Sequence, residues 1–120
     1  MNCIFCKIIN GDIPSYTLYE DDYVKCFLDV NPASNGHTLI IPKKHFVDVN
    51  DIEDEYLLKE FEASRKIMAL IEDKLKADGF VLTQNNGSVE AVKHYHLHVM
   101  PNYKDKKKMS VEEVYELLTK

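Results

Sequence analysis

The sequence contains no hydrophobic run that approaches the roughly 20 residues required for a transmembrane helix. It also lacks internal repeats, low-complexity segments and stretches typical of a linker between domains. Its first seven residues do not place a basic segment before an apolar one, so no secretory signal is predicted and we expect the protein in the cytoplasm. A chain of 120 residues with these properties is predicted to form a single domain over residues 1–120.

An excess of positive charge is absent as well. The chain has 15 Lys and Arg against 20 Asp and Glu, which gives a net charge of −5. This balance argues against a general affinity for nucleic-acid backbones, and no membrane partner is indicated. The only basic run, residues 104–108, is most simply a solvated linker, with attraction of anionic ligands to a nearby site as the alternative.

Cysteine is scarce and odd in number, so the three residues cannot all pair and we expect reduced thiols. Cys26 lies in an apolar stretch and is predicted to be a small core residue. Cys3 and Cys6 are separated by two residues, which is the spacing of a metal-binding or redox pair.

Turn residues and hydrophobic periodicity predict an α+β domain with a mostly antiparallel sheet and one long helix packed on it. The long helix is predicted from its apolar residues at three- and four-residue steps, with Asp51 as a cap and Gly79 as a stop. A capping box beginning at Ser110 predicts a short terminal helix. The predicted strands are 17–20, 23–28, 37–42, 80–84 and 94–100, and the predicted long helix is 52–77.

Three of the five histidines stand at alternate positions within residues 94–100. In a strand, His94, His96 and His98 would share one face while the apolar residues between them face the core. Near neutral pH an imidazole can act as nucleophile, proton carrier or hydrogen-bond donor, so the row is a candidate active site. The alternatives are an exposed face without function and a fortuitous metal site.

This alternation resembles the signature of the histidine triad (HIT) family, most closely its small bacterial nucleotide-binding members. Other stretches resemble the same family in the same order, namely residues 3–9, 13–14, 19–22, 27–32, 36–45 and 85–87. The similarity extends from about residue 3 to residue 101 and leaves residues 102–120 as a C-terminal tail with the short helix. It implies a HIT-like five-stranded sheet and a homodimer in which the sheets of two chains join.

The resemblance also implies a chemistry. The family hydrolyses purine nucleoside 5′-phosphoramidates or dinucleoside polyphosphates at the α-phosphate, without an organic cofactor. By this resemblance His96 would be the nucleophile that forms a covalent nucleotidyl intermediate, and His98 and His37 would hold the phosphate oxygens. Asp29 would bind the ribose hydroxyls, with an Asx turn as the alternative role. The other positions that match nucleotide contacts are Ile13, Leu28, Val30, Leu39, Asn85 and Val92.

A structural zinc site is implied in the same way. Two thiolates and two imidazoles form a closed tetrahedral zinc site. In cysteine-bearing members of the family, the partners of the two cysteines match His45 and His94 of this sequence. The expected ligands are therefore Cys3, Cys6, His45 and His94, with free thiols as the alternative.

Two other functions remain open from the sequence. The protein could be a non-catalytic nucleotide-binding module that serves regulation, or a metalloenzyme that uses His94, His96 and His98 as one metal centre. The metal centre would leave Asp29, His37 and the cysteine pair without a role. A nucleotidyltransferase is disfavoured, because that branch of the family resembles His-x-His-x-Gln and position 98 is histidine.

The loop before the triad departs from the family, since it is short and has Glu90 where a glutamine is expected. A carboxylate there would repel an anionic phosphate and weaken contacts to the leaving group. We therefore predict that Glu90→Gln raises the turnover of an adenosine phosphoramidate, measured by steady-state kinetics. Unchanged kinetics would show that the loop charge does not matter.

Overall fold

The computed structural model describes residues 3–89 and 91–120. Within them the chain forms three α-helices, five strands and one 3₁₀ turn. The helices are α1 (Ile4–Ile9), α2 (Asp54–Leu75) and α3 (Val111–Thr119). The strands are β1 (Thr17–Glu20), β2 (Val24–Leu28), β3 (Thr38–Pro42), β4 (Gly79–Thr83) and β5 (Leu97–Asn102), and the 3₁₀ turn is Gly87–Val89.

The five strands form one sheet in the order β1-β2-β3-β5-β4, and every neighbouring pair is antiparallel. The predicted α+β class, with a five-stranded antiparallel sheet and one long helix on it, is confirmed. The single non-sequential pairing, β3 with β5, matters for function because it places Leu39 opposite His98. Residues that are 59 positions apart in the chain thereby become neighbours on one sheet face.

The two faces of the sheet carry different layers, because successive side chains of a strand alternate between faces. On one face, side chains such as Cys26, Ile40 and Val99 pack with α2 and α3 in the main core. On the other face, Phe27 and Leu39 pack with α1 in a smaller cluster. The odd-numbered positions of β2 and β3 therefore face α1, and this is the face on which His98 of β5 lies opposite Leu39.

The predicted strand 94–100 is wrong at its start, because β5 begins at Leu97. Tyr95 donates its N–H to the Phe46 carbonyl at 2.7 Å, so this part of the chain bonds to the loop after β3. The His94 carbonyl accepts a hydrogen bond from the His96 ring rather than from a neighbouring strand. β5 also continues through Pro101 to Asn102, beyond the predicted end.

Helix α1 was not predicted. It has only six residues, and Cys3 caps it by accepting the Cys6 N–H on its sulfur. The long helix is shorter at both ends than the predicted 52–77, since Glu53 is its N-cap and Lys76 ends it in the left-handed conformation. Asp51 instead binds two N–H groups of the preceding loop, and Gly79 begins β4.

The C-terminal segment after β5 packs against the rest of the domain. Ser110 and Glu113 form the predicted capping box at the start of α3, and Val114 and Leu118 join the main core. Among the described residues, no helix has both the length and the apolar composition that crossing a bilayer requires.

One buried charge-bearing group stands out in α2. Glu60 is 0% exposed, and within the described residues neither oxygen of its carboxyl has a hydrogen-bond partner. Desolvation raises the pKa of this carboxyl well above its ordinary value. The folded protein therefore keeps a proton on Glu60 at pH values where the unfolded chain has released it, and the contribution of this group to stability falls as pH rises above its ordinary pKa.

We predict that Glu60→Met increases the free energy of unfolding by about 1–3 kcal/mol at pH 7, because it removes polar atoms without partners and keeps a similar volume. It should also remove the part of the pH dependence that Glu60 causes, so that in urea titrations the stability difference between the variant and the parent grows as pH rises above the ordinary pKa of glutamate. Glu62→Met, at an exposed site on the same helix, is the matched control and should change stability by less than about 0.5 kcal/mol. An unchanged pH profile in the Glu60 variant would show that its carboxyl is not the group responsible.

Candidate functional site

Four potential metal ligands come together where α1, the loop after β3 and the chain before β5 meet. Cys3 and Cys6 belong to the start of α1, His45 follows β3, and His94 precedes β5. One donor atom of each lies within 4.8 Å of the donor atoms of the others. The structure therefore brings together all four residues predicted as zinc ligands.

The distances within this cluster fit a tetrahedral zinc ion. The Cys3 and Cys6 sulfurs lie 3.3 and 3.6 Å from the Nδ1 atom of His94, and the Cys6 sulfur lies 3.3 Å from Nδ1 of His45. With Zn–S bonds of ~2.3 Å and Zn–N bonds of ~2.0 Å, tetrahedral geometry separates sulfur and nitrogen by about 3.5 Å. Zinc would need little movement of these side chains to bind.

The tautomer of His94 also suits a metal ligand. Its Nε2 atom faces the Pro42 carbonyl at 3.0 Å, and a carbonyl can only accept, so the ring proton is on Nε2. The lone pair of Nδ1 then points toward the two sulfurs. Burial lowers the pKa of His94 to about 4, and the ring is neutral at physiological pH. A backbone carbonyl that fixes the ring in this way is a regular feature of metal-binding histidines.

His96 is held next to this cluster with its ring in one defined state. Its Nδ1 atom lies 2.8 Å from the carbonyl oxygen of His94 and must donate to it. In the neutral ring the nucleophilic lone pair is therefore on Nε2. The rings of Phe5 and His96 form a T-shaped contact at a centroid distance of 5.0 Å, and the His98 ring lies at the same distance from His96.

A second chain of hydrogen bonds fixes the protons of His37 and His98. The Ala33 N–H donates to Nδ1 of His37 at 3.0 Å, so the proton of the neutral His37 ring is on Nε2. That atom lies 3.0 Å from Nδ1 of His98 and donates to it, which places the His98 proton on Nε2. Burial lowers the pKa of His37, although the Asp29 carboxylate 3.7 Å away opposes the shift.

The three histidines of the motif are consequently not equivalent. His94 belongs to the cysteine cluster, whereas His96 and His98 stack edge to face near His37. In the described residues, the groups with metal-binding geometry are the cysteine cluster and the set Asp29, His37 and His98. A centre that uses His94, His96 and His98 together is not among them.

The predicted nucleotide contacts occupy different parts of the site. Ile13, Leu39 and Val92 pack in the α1-side cluster. Asp29 and the exposed Val30 follow β2, beside His37. Asn85 lies two residues beyond the end of β4. The Leu28 side chain differs, since it is buried in the main core with α2, and Glu90 lies outside the described residues.

Three contributors to the site were missed by the sequence analysis. Two are backbone groups, the Pro42 carbonyl and the Ala33 N–H, and no side-chain pattern marks them. The third is Phe5, which lies between the two cysteines of the C-x-x-C pair and contacts both His94 and His96. Because Phe5 lies inside the C-x-x-C pair, the sequence could have predicted that it is close to the cysteine cluster.

A model of the HIT domain matches residues 10–105. The chain belongs to the histidine triad (HIT) family. The Protein hit of Bacillus subtilis is 46% identical over 85% of this HIT chain and 72% of its own length. An adenosine 5′-monophosphoramidase of Saccharomyces cerevisiae is 40% identical over 87% of this chain and 65% of its own.

A crystal structure of a zinc-bound histidine triad protein from Mycobacterium smegmatis has the same fold as this HIT protein. The TM-score is 0.90 at 36% identity, over 98% of this chain and 91% of that one. The zinc is a property of that protein. For the present chain, the geometry of its own four ligands is the evidence that zinc fits.

We predict one zinc ion per chain in protein purified without chelator, measured by elemental analysis, and its loss in Cys6→Ser. Removal of zinc should lower the free energy of unfolding by about 2.7 kcal/mol when free zinc is a hundredfold above its Kd. Cys26→Ala is the matched control, because this buried thiol lies in the main core and should not affect zinc content. Zinc far below one per chain, together with two freely reactive thiols, would refute the site.

Proposed function

We propose that this HIT protein is a nucleotide hydrolase acting at the α-phosphate of purine nucleoside 5′-phosphoramidates or dinucleoside polyphosphates. His96 attacks the phosphorus, the leaving group departs, and water hydrolyses the nucleotidyl–histidine intermediate. The observation that carries this proposal is the 2.8 Å contact between Nδ1 of His96 and the His94 carbonyl. It keeps the proton on Nδ1 and so presents Nε2 as the nucleophile.

The same hydrogen bond supports the charge that develops on the ring. When Nε2 forms a bond to phosphorus, the imidazole becomes cationic, and its Nδ1–H then donates to the His94 carbonyl more strongly. The ring is also fixed before the reaction, so no reorientation is needed as the bond forms. The first effect stabilises the covalent intermediate relative to the noncovalent enzyme–substrate complex. The second effect lowers the barrier to forming it.

His98 and His37 support the phosphate in this proposal. The hydrogen-bond chain from Ala33 leaves the proton of His98 on Nε2, where it can donate to a non-bridging phosphate oxygen. A donor that is oriented in advance stabilises the transition state more than one that must turn. His37 orients the His98 ring by donating a hydrogen bond to it. Its own ring lies 3.7 Å from the Asp29 carboxylate.

For Asp29 the sequence predicts an Asx turn or ribose binding, and its two carboxylate oxygens have different surroundings. One carboxylate oxygen accepts the Asn31 N–H at 2.9 Å, which is an Asx turn. The other oxygen faces His37. We assign the ribose hydroxyls to this carboxylate, because the turn holds it beside His37.

Zinc, when bound, supplies a rigid anchor for His94 rather than a reactive centre. A site with four protein ligands has no open position for substrate or water. Cys3, Cys6, His45 and His94 would hold it. Through the His94 carbonyl, this cluster sets the position of the His96 ring.

The comparison with the yeast phosphoramidase supports the substrate class, since that enzyme acts on an adenosine 5′-monophosphoramidate and shares 40% identity with this chain.

A homodimer belongs to the proposal as well. Strand β4 is an edge strand with regular pairing over its five residues, whereas the opposite edge strand β1 has an irregular register. A solution mass of one chain, 13.9 kDa, would refute the dimer. Cytoplasmic location stays a prediction.

We predict that the protein hydrolyses an adenosine phosphoramidate and a dinucleoside polyphosphate, and that His96→Ala lowers kcat on the order of 10³-fold or more. The variant should still bind AMP, because the other contacts remain. Leu58→Ala, at an exposed position of α2 in the other layer, is the control and should retain the parent activity.

The outcomes separate the functions left open by the sequence. Tight binding of AMP by a parent protein without turnover would favour a regulatory binding module. Activity that persists in His96→Ala, or that a chelator abolishes within the time needed to mix it, would favour a catalytic metal and contradict the nucleophile.

A further inference from the structure

The loop of residues 29–37 connects β2 to β3 and carries two parts of the proposed site, Asp29 and His37. Three hydrogen bonds, each donated by a backbone N–H group, connect residues within this loop. Asp29 N–H donates to the His37 carbonyl at 2.9 Å, His37 N–H donates to the Ser34 carbonyl at 3.1 Å, and Ala33 N–H donates to the His37 ring. The proton positions of His37 and His98 therefore depend on the exact path of this loop.

One buried side chain of the loop binds the C-terminal segment. Asn35 is 5% exposed, and its amide donates to the Lys107 carbonyl at 2.9 Å while accepting the Met109 N–H at 2.8 Å. The backbone carbonyl of Asn35 accepts a third hydrogen bond, from the Tyr103 hydroxyl at 2.7 Å. We call these three hydrogen bonds the Asn35 clamp.

The chemistry of the clamp requires an amide. Lys107 offers an acceptor and Met109 a donor, so the side chain must both donate and accept. Aspartate has nearly the same shape but can only accept when ionised, and its charge would face the Lys107 carbonyl. Asn35 lies within residues 10–105, which the HIT domain matches, whereas the residues bound by its amide lie beyond them, so the contact joins the matched part of the chain to the segment that follows it.

We propose that Asn35 is a positioning residue that couples the C-terminal segment to the histidine cluster. By holding the loop, the clamp keeps the Ala33 N–H on Nδ1 of His37, and thereby keeps the His98 proton on Nε2 for the phosphate. The tail of this chain is then a part of the active-site scaffold. The kinetic consequence rests on the proposed hydrolase function, whereas the proton positions do not.

The test uses the full zinc-loaded chain and two readouts, steady-state kinetics with an adenosine phosphoramidate and long-range ¹H–¹⁵N spectra of the histidine rings. For the parent we expect the protons of His37 and His98 on Nε2. Asn35→Asp should lower kcat ten- to a hundredfold with little change in KM, because small displacements of catalytic groups act mainly on the chemical step. Its His37 ring should show a mixture of tautomers.

Two further variants make the result decisive. Tyr103→Phe removes the third hydrogen bond of the clamp with a smaller perturbation, and it should shift both readouts in the same direction even if Asn35→Asp does not fold. Ser110→Ala removes the N-cap of α3 and destabilises the same segment without touching the clamp. It should leave kcat and the spectra unchanged.

The proposal is overturned if the parent His37 carries its proton on Nδ1, or if both clamp variants keep the parent spectra. It is also overturned if Ser110→Ala reproduces their effect, because tail stability alone would then account for it. If the parent has no hydrolase activity, the proposed function fails, and the spectra of the same variants still decide whether the clamp sets the tautomers.

Discussion

The site depends on the hydrogen bond between the His96 ring and the carbonyl of His94. A carbonyl oxygen cannot donate, so this contact determines which nitrogen of the neutral His96 ring carries the proton. The same hydrogen bond connects His96 to the cysteine cluster. His94 offers its backbone carbonyl to His96, and its side chain belongs to that cluster. The position of the proposed nucleophile is thus set by the backbone of a residue whose side chain belongs to the proposed zinc site.

The chain reaches the site from several directions. The N-terminal helix brings Cys3, Cys6 and Phe5 to one side of the histidines, and the pairing of β3 with β5 supplies the surface beneath them. On the other side, the loop of residues 29–37 is bound by the segment that follows β5. The N-terminal helix thus contacts His94 and His96, while the C-terminal segment binds the loop whose backbone bonds to the His37 ring. Hydrogen bonds to backbone groups and between rings leave four imidazoles with defined tautomers.

Sequence patterns were sufficient for the sheet and the long helix, because both depend on residue type and spacing, whereas the partners of the cysteine pair were implied by the resemblance to the HIT family. They failed where backbone groups decide the outcome. The start of β5 was misplaced since alternation continues through His94, although Tyr95 bonds to the loop after β3. The clamp was missed because a lone asparagine near a turn has no distinguishing spacing, and its role appears only when residues 72 and 74 positions later fold against it.

The central claim is that the histidines are divided, with His94 serving the metal cluster and His96 the phosphorus. The most direct measurement is rapid mixing with an adenosine phosphoramidate, an alkaline quench that preserves a phosphorus–nitrogen bond, and peptide mapping by mass spectrometry. The account predicts a nucleotidyl group on His96 that forms before product and disappears as substrate is consumed. Turnover with no adduct at any time, or with the adduct on a different histidine, would contradict it.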